Sequence, residues 1–333
     1  MNDAGGAMPD TAPLISTEVV GSCPVCSGSE RARIAAGQDY EYESCRNEWT
    51  MWQCRRCSHA WLDPRPADRE LGVIYPRHYY SYDFEKKINP IAVKGKAWLD
   101  RRKLAGLAAQ LRHPPQGYLD VGCGTGRFLR MAEKFDLPRS RIAGIELSEP
   151  AIAALRADGF SAECATVEAS QLVRTGRFDL ITMFHVIEHV ADPREVVARL
   201  AQALEEGGIL AIETPNLESL DARLFRARWW GGYHFPRHWH IFTLASLTQL
   251  LRQAGLEVET VRYQPGHSFW LFSLHHALKY GRCRNRRAAG LVHPLRSLPA
   301  LILATGFDIL RSWLGFHTSA MMVVARRRPA QPG

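Results

Sequence analysis

Beyond residue 116 the chain alternates between short apolar runs and longer stretches whose apolar positions recur at helical spacing. The run at about 118–122 enters a glycine loop and then the helical pattern "GRFLRMAEKF". "RIAGIEL" follows as a strand, then a helix opened by Ser148 with Pro150 in its first turn, a sound N-terminal signal. Next come a short strand near "SAEC", the strand "FDLITMF" and a helix after "ADP", which Gly207 and Gly208 are expected to end before the strand "ILAIET". "FTLASLTQLLRQAG" reads as a helix capped by Thr243 and stopped by Gly255, leading to a strand over 256–263; "SAMMVVARR" makes a last strand. This alternation predicts a doubly wound parallel α/β sheet. Residues 264–317, between the last two strands, read as an insertion.

The N-terminal part has another logic. "CPVC" supplies Cys23 and Cys26, "CRRC" supplies Cys54 and Cys57, and 27 residues separate the two pairs. Each pair sets two thiolates on a tight knuckle, and two knuckles complete a tetrahedral sulfur site suited to zinc. A redox motif would stand alone, and disulfides need an oxidising compartment, so paired motifs favour Zn2+ in a structural, closed role. Cys45, Cys123, Cys164 and Cys283 have no partner at motif spacing and read as packing residues.

Composition, at 46% hydrophobic and 23% charged residues, is that of a globular chain with a sizeable core rather than a disordered one. The opening "MNDAGGAMPDTAPLIST" has no basic and apolar leader pattern and reads as a frayed tail. The net charge of +8 is uneven: residues 217–333 carry 16 basic against five acidic residues, densest in "KYGRCRNRR" (279–287). That is either a solvated face or a surface for phosphate, anionic lipid or nucleic acid. The apolar stretches at 268–278 and 298–307 are too short to span a bilayer, though either could lie on one.

The glycine loop narrows the chemistry. Gly122, Gly124 and Gly126 read G-x-G-x-G, not the dinucleotide G-x-G-x-x-G, and no Lys-Ser/Thr follows as in a phosphate loop. Asp120 precedes the loop and would meet a pyrophosphate badly, while Glu146, ending the second strand, could accept both hydroxyls of a ribose. A positively charged nucleoside suits this pair of acids. With these residues the chain resembles the class I S-adenosylmethionine-dependent methyltransferases. "FDLITMFHVIEHVADP" and "LEEGGILAIETPN" resemble the family's later motifs, and the resemblance covers about residues 95–263 plus the last strand. It implies a Rossmann-like sheet of the seven-strand methyltransferase type, last strand antiparallel. It also implies that S-adenosyl-L-methionine lies over Gly122, Cys123, Gly124 and Gly126, with Asp120 at its amino-acid end. Glu146 would then lie at the ribose, Thr166 and Val167 near the adenine, and Phe184 at the tip of the fourth strand, with Leu147 also binding the cofactor. The cysteine knuckles, "WLDPRP" and "WGGYHFPRHWHIFT" resemble a bacterial subgroup with an N-terminal zinc module, associated with methylation of sugars, polysaccharides or lipid-linked small molecules.

Methyl transfer is an in-line displacement, so the protein must mainly align the acceptor and remove its proton. "HVIEH" places His185, Glu188 and His189 at the end of the fourth strand. It also matches the inverted zinc-protease signature, but that reading sits poorly after a buried strand of this series. Related small-molecule O-methyltransferases carry Glu-x-x-Glu-His here and can hold a divalent cation; His185 stands where their first Glu does. We read His185 as facing substrate while Glu188 and His189 fix the loop. "RWWGGYHFPRHWHIF" (228–242) reads as an aromatic lid around Trp229, Trp230, Tyr233, Phe235 and Trp239. His238 is there the second candidate base, with His234 and His240 structural.

The expected organisation is a flexible tail (1–18), a zinc-ribbon module (19–62), a linker with a helical segment (63–112) and a methyltransferase domain (113–333) with a helical insertion at 264–317. The insertion would pack over the substrate or in a dimer, or else meet lipid through Phe269, Trp270 and Phe272 while its arginines meet phosphates. The expected function is methyl transfer to a small molecule, in a sugar, polysaccharide or lipid-linked intermediate, in the cytoplasm or at the inner membrane face. An rRNA base methyltransferase is the alternative enzyme, disfavoured by a nearly neutral zinc module and the lack of an Asn-Pro-Pro-Tyr-like motif, so no nucleic-acid partner is expected. A non-catalytic zinc-ribbon interaction protein is the third reading, and the intact Asp120, glycine loop and Glu146 speak against it.

Overall fold

A computed structural model describes residues 12–76, 90–282 and 284–327, with the side chains of 90–94 left aside. Residues 1–11 of the expected tail, 77–89 of the expected linker, and Cys283 lie outside the described residues. The chain divides into two compact units. One comprises the described residues of 90–214, 248–262 and 322–333; the other comprises those of 1–89, 215–247 and 263–321.

The first unit is built on a sheet that has seven strands among the described residues. They are β1 (Tyr118–Val121), β2 (Ile142–Glu146), β3 (Ser161–Cys164), β4 (Phe178–Phe184), β5 (Leu204–Pro215), β6 (Leu256–Gln264) and β7 (Ala320–Arg327). Their order is β6-β7-β5-β4-β1-β2-β3, parallel through β1–β5, with β7 antiparallel. All four residues of β1 are buried, as an apolar run covered on both faces should be. Leu129, Ile152 and Leu155 from the helices Arg127–Ala132 and Glu149–Ala157 pack with Tyr118, Ile142, Leu180 and Ile209. The helix after "ADP" spans Pro193–Ala203, its first turn held by the Asp192 carboxylate, which accepts from the N–H groups of Arg194 and Glu195. Gly207 and Gly208 do not end it. The helix stops at Ala203, β5 starts at Leu204, and both glycines sit in a bulge where Leu204 pairs with Phe178 but Ile209 with Leu180. A bulge inserts residues without breaking the strand, and Gly207, at φ +78, takes the conformation that such an insertion requires.

In the second unit, strands Arg31–Gly37, Trp49–Cys54 and Ala60–Leu62 form an antiparallel sheet, and His240–Ile241 adds to its edge beside Ala60–Leu62. This overturns the reading of 228–242 as a lid. Trp230, Tyr233, Phe235 and Trp239 are buried in one apolar core with Trp49, Met51 and Leu62. Burial of four large rings stabilises the unit by about 1.5–3 kcal/mol per side chain, far more than a mobile cover could forgo. Arg237, with no exposed surface, holds the same core together. Its guanidinium donates to both oxygens of Asp39 (3.0 and 2.8 Å), to the Ile74 carbonyl (2.6 Å) and to the Phe235 carbonyl (3.2 Å). Burial pushes Asp39 up, yet Arg237 and its other hydrogen-bond donors hold it below the ordinary carboxylate range.

The insertion forms helices His267–Tyr280, Arg286–Leu291 and Leu298–Trp313, the first packing on both others. Phe269, Trp270 and Phe272 are only half exposed. The Trp270 indole donates to Asp308 (3.1 Å), so these rings serve packing rather than a free lipid face.

Candidate active site

The candidate side chains stand at the C-terminal ends of parallel strands. β1 delivers Asp120 and the glycine loop, β2 delivers Glu146, β4 delivers His185, and β5 delivers Glu213. β2 and β4 flank β1 on opposite sides, so strand order reverses there, and open α/β sheets bind ligands in that crevice.

All three loop glycines have positive φ: +73 at Gly122, +52 at Gly124 and +81 at Gly126. A Cβ on Gly122 would stand 2.4 Å from Val186, and one on Gly126 would stand 2.2 Å from Leu155. One on Gly124 would meet nothing within 4 Å. The outer glycines thus let the loop close against its neighbours, and the middle one faces open room. Glu146 accepts from the N–H groups of Gly124 (3.0 Å) and Leu147 (2.7 Å), and each carboxylate oxygen keeps a second lone pair for a ligand hydroxyl.

Asp120 is buried and accepts from the Thr182 hydroxyl at 2.7 Å; Thr182 in turn takes the Tyr118 hydroxyl proton, also at 2.7 Å. Burial, with the nearby charge of Glu146 adding to it, raises Asp120 to about 7 against the pull of these hydrogen bonds. Two acids at one loop, one of them reluctant to ionise, are relieved by a cation and opposed by a phosphate. A nucleoside bearing a sulfonium and an ammonium fits this donor set. Around it, Cys123 is buried, its thiol pushed up by burial and by Asp120. Leu147 and Thr166 are exposed, Val167 is buried, and Phe184 meets Phe128 edge-on at 5.1 Å between ring centres.

His185 follows β4 in the left-handed region, φ +55, a conformation its N–H helps to fix by donating to the Glu213 carbonyl at 2.8 Å. Its ring lies between two carboxylates: Nδ1 is 3.2 Å from Glu188 Oε1 and Nε2 is 3.3 Å from Glu213 Oε1. Glu188 Oε2 accepts from the Thr214 hydroxyl (3.1 Å), and Lys103, from the helix Pro90–Ala108, donates to Glu213 Oε2 at 2.5 Å. Charges therefore alternate along Lys103, Glu213, His185 and Glu188. Burial works against a charged imidazole, but Glu188 and Glu213 outweigh it and raise His185 to about 9. Glu213 is held well below the carboxylate range by Lys103 and His185, although its burial opposes this. The His185 side chain is 42% exposed, so it can touch both this network and a ligand.

Sequence spacing finds the Glu188 partner but misses Lys103 and Glu213. Glu213 was within reach of the strand-end rule, as the acid ending "ILAIET". Lys103 carries no such signal, being one cation of several on its helix. His238 belongs to the other unit, where it is buried and donates from Nδ1 to the Gly232 carbonyl at 2.7 Å. His234 Nδ1 is 2.7 Å from Glu41, and His240 Nδ1 is 3.1 Å from His59 Nε2; both are buried.

The four knuckle cysteines also lie in that unit, with their sulfurs all within 4.8 Å of one another. Cys23 faces Cys57 and Cys26 faces Cys54, each at 3.5 Å. The knuckles match: the residue after each, Ser27 and Ser58, has positive φ and donates its N–H to the carbonyl of the first cysteine. Four thiolates on one zinc at about 2.3 Å would stand about 3.8 Å apart, close to this spacing. Cys45 is buried beside Trp49 and lies outside the cluster.

A family described as "Methyltransferase domain" matches residues 95–261, half of the chain. The chain is an S-adenosylmethionine-dependent methyltransferase. Over 185 residues the methyltransferase is 31% identical to the ubiquinone biosynthesis O-methyltransferase of Aromatoleum aromaticum, covering 51% of this chain and 72% of that one. The enzyme of the same name from Thiobacillus denitrificans is 29% identical over 217 residues, 61% of this chain and 80% of the relative. Among solved structures, a SAM-dependent methyltransferase from Archaeoglobus fulgidus aligns with a TM-score of 0.46 at 17% identity, over 74% of this chain and all of that one.

Proposed function

We propose that the methyltransferase methylates a hydroxyl of a small molecule, the hydroxyl displacing Glu213 from His185 Nε2 and giving its proton to that nitrogen. The observation that carries this is the half-exposed His185 held between Glu188 and Glu213 at the strand end beside the glycine loop. When bound at Asp120, Glu146 and Gly122–Gly126, the cofactor supplies a methyl group already activated on a sulfonium. The chain then needs to align the acceptor, exclude water and take one proton. An imidazole raised to about 9 is a stronger base than an ordinary histidine, suited to a weakly acidic sugar or alcohol hydroxyl. The O-methyltransferase names of the relatives support oxygen as acceptor. The resemblance to the zinc-module subgroup supports a sugar, polysaccharide or lipid-linked intermediate, and the sulfur cluster supports a structural zinc. Leu147, Thr166, Val167 and Phe184 would line the nucleoside, with Cys123 packing beneath the loop.

The test is mass spectrometry of small molecules and glycans from cells with and without the enzyme, followed by turnover with the candidate acceptor. One added methyl group on oxygen is expected. Methylation of RNA, or of nitrogen alone, would overturn the reading.

The cofactor site makes a further prediction. Glu146→Ala leaves ribose hydroxyls unpaired and is expected to weaken S-adenosylmethionine binding by about 1–3 kcal/mol in calorimetry. A cationic ligand binds the ionised form of Asp120, so affinity should fall as pH drops below about 7. A flat affinity across that range would place the positive charge away from Asp120.

A further inference from the structure

The helix Leu298–Trp313 is built the wrong way round for a soluble protein. It is rich in Leu, Ile and Phe, yet among its residues only Asp308 is buried. That carboxylate anchors it, accepting from the Gly266 N–H (2.9 Å), the Trp270 indole (3.1 Å) and the Arg311 guanidinium (3.1 Å). The opposite face points outward: Ile302, Leu303, Phe307, Leu310 and Trp313 are exposed, Leu303 at 74% and Trp313 at 81%. At 100° per residue these positions fall on one side, away from Asp308. Leu314 and Phe316 continue the exposed apolar surface past the helix end. An apolar patch of this kind on an otherwise polar protein marks an interaction site.

Charge decides the partner. Across residues 265–317 the sequence has one acid, the buried Asp308, against seven Lys and Arg, of which Arg311 pairs with Asp308 and Lys279 with Glu43. Arg286 and Arg287 are exposed in the helix that ends at the exposed Leu291, and the exposed Arg296 precedes Leu298 by two residues. A second copy of this chain would bring like charges together. We infer that this face docks the protein on an anionic lipid surface, with Leu303, Phe307 and Trp313 entering the headgroup–acyl boundary and the arginines meeting lipid phosphates. No helix among the described residues is long and apolar enough to cross a membrane, so the contact is peripheral. The inference is independent of which acceptor is methylated.

Flotation of the full chain with phosphatidylcholine vesicles, with and without phosphatidylglycerol, tests it. Binding is expected only with the anionic lipid and should weaken as salt is raised. Arg286→Gln/Arg287→Gln should weaken it roughly 25-fold, about fivefold per charge. Leu303→Ser/Trp313→Ser should abolish it with thermal unfolding unchanged, since both side chains lie outside the core. Absence of flotation at low salt overturns the inference, as does flotation indifferent to both variants. Dimerisation that Leu303→Ser/Trp313→Ser abolishes, without vesicle binding, would give the face to a second copy instead.

Discussion

His185→Gln is expected to lower kcat by about 10²–10⁴-fold, the span of a lost general base, with S-adenosylmethionine affinity unchanged. Gln keeps approximate size and one hydrogen bond but cannot take a proton. The pH dependence sharpens the test. His185 must be neutral to act, and Glu188 and Glu213 raise it to about 9, so activity should climb with pH through that value rather than through the ordinary 6.5. Water at the exposed edge screens part of this attraction, which bounds the limb from above. Glu213→Gln removes one of the two anions, so the limb should move to lower pH, a displacement that simple loss of packing would not produce. If His185→Gln keeps near-native kcat, the proton leaves by another route and the base assignment fails. His238→Gln is the companion test: a fall in kcat there without loss of folding would transfer the role to it.

The other large effect is expected from Cys54→Ser/Cys57→Ser. Purified protein should carry one zinc per chain and the variant none, by elemental analysis. Structural zinc contributes about 10–16 kcal/mol to the folding of small zinc peptides, as much as or more than the whole stability of a typical domain. Hydrogen exchange should therefore quicken across residues 23–57. It should also quicken in His240–Ile241, which shares their sheet. Cofactor affinity should change little, because the sulfur cluster and the glycine loop belong to different compact units. Metal-free protein whose four thiols all alkylate freely would sink the zinc assignment.

Local pattern made some parts of this enzyme legible and concealed others. Asp120, the three glycines and Glu146 could be read because a turn conformation and two strand ends impose residue types within a span of about thirty positions. The start of β5 could not, since a glycine pair signals a helix stop and a bulge equally well until the partner strand is known. The aromatic segment 228–242 misled for a related reason: its glycines and rings suit a cover or a core, and the deciding strand, Ala60–Leu62, lies far away in sequence. The insertion forms helices whose outward residues could not be named from the sequence, because helical spacing defines a face without saying which way it points. The place of His185 at a strand end is legible in the sequence, but its electrostatic setting is not. The shift from 6.5 to about 9 needs Glu213 in place, and no sequence motif ties β5 to β4.

The late strand His240–Ile241 also bears on how the chain is made. The cysteine sheet pairs Trp61 with His240, and its charge pair joins Asp39 to Arg237, so neither is complete when the N-terminal residues leave the ribosome. At about 5–20 residues per second, the interval until residue 240 is synthesised is roughly 10–35 s. Through that interval Ala60–Leu62 is an open edge and the apolar face beneath it waits for Trp230, Tyr233 and Trp239. An early-bound metal would hold the two knuckles in register during this wait, giving the cluster a part in biogenesis distinct from its part in the finished enzyme.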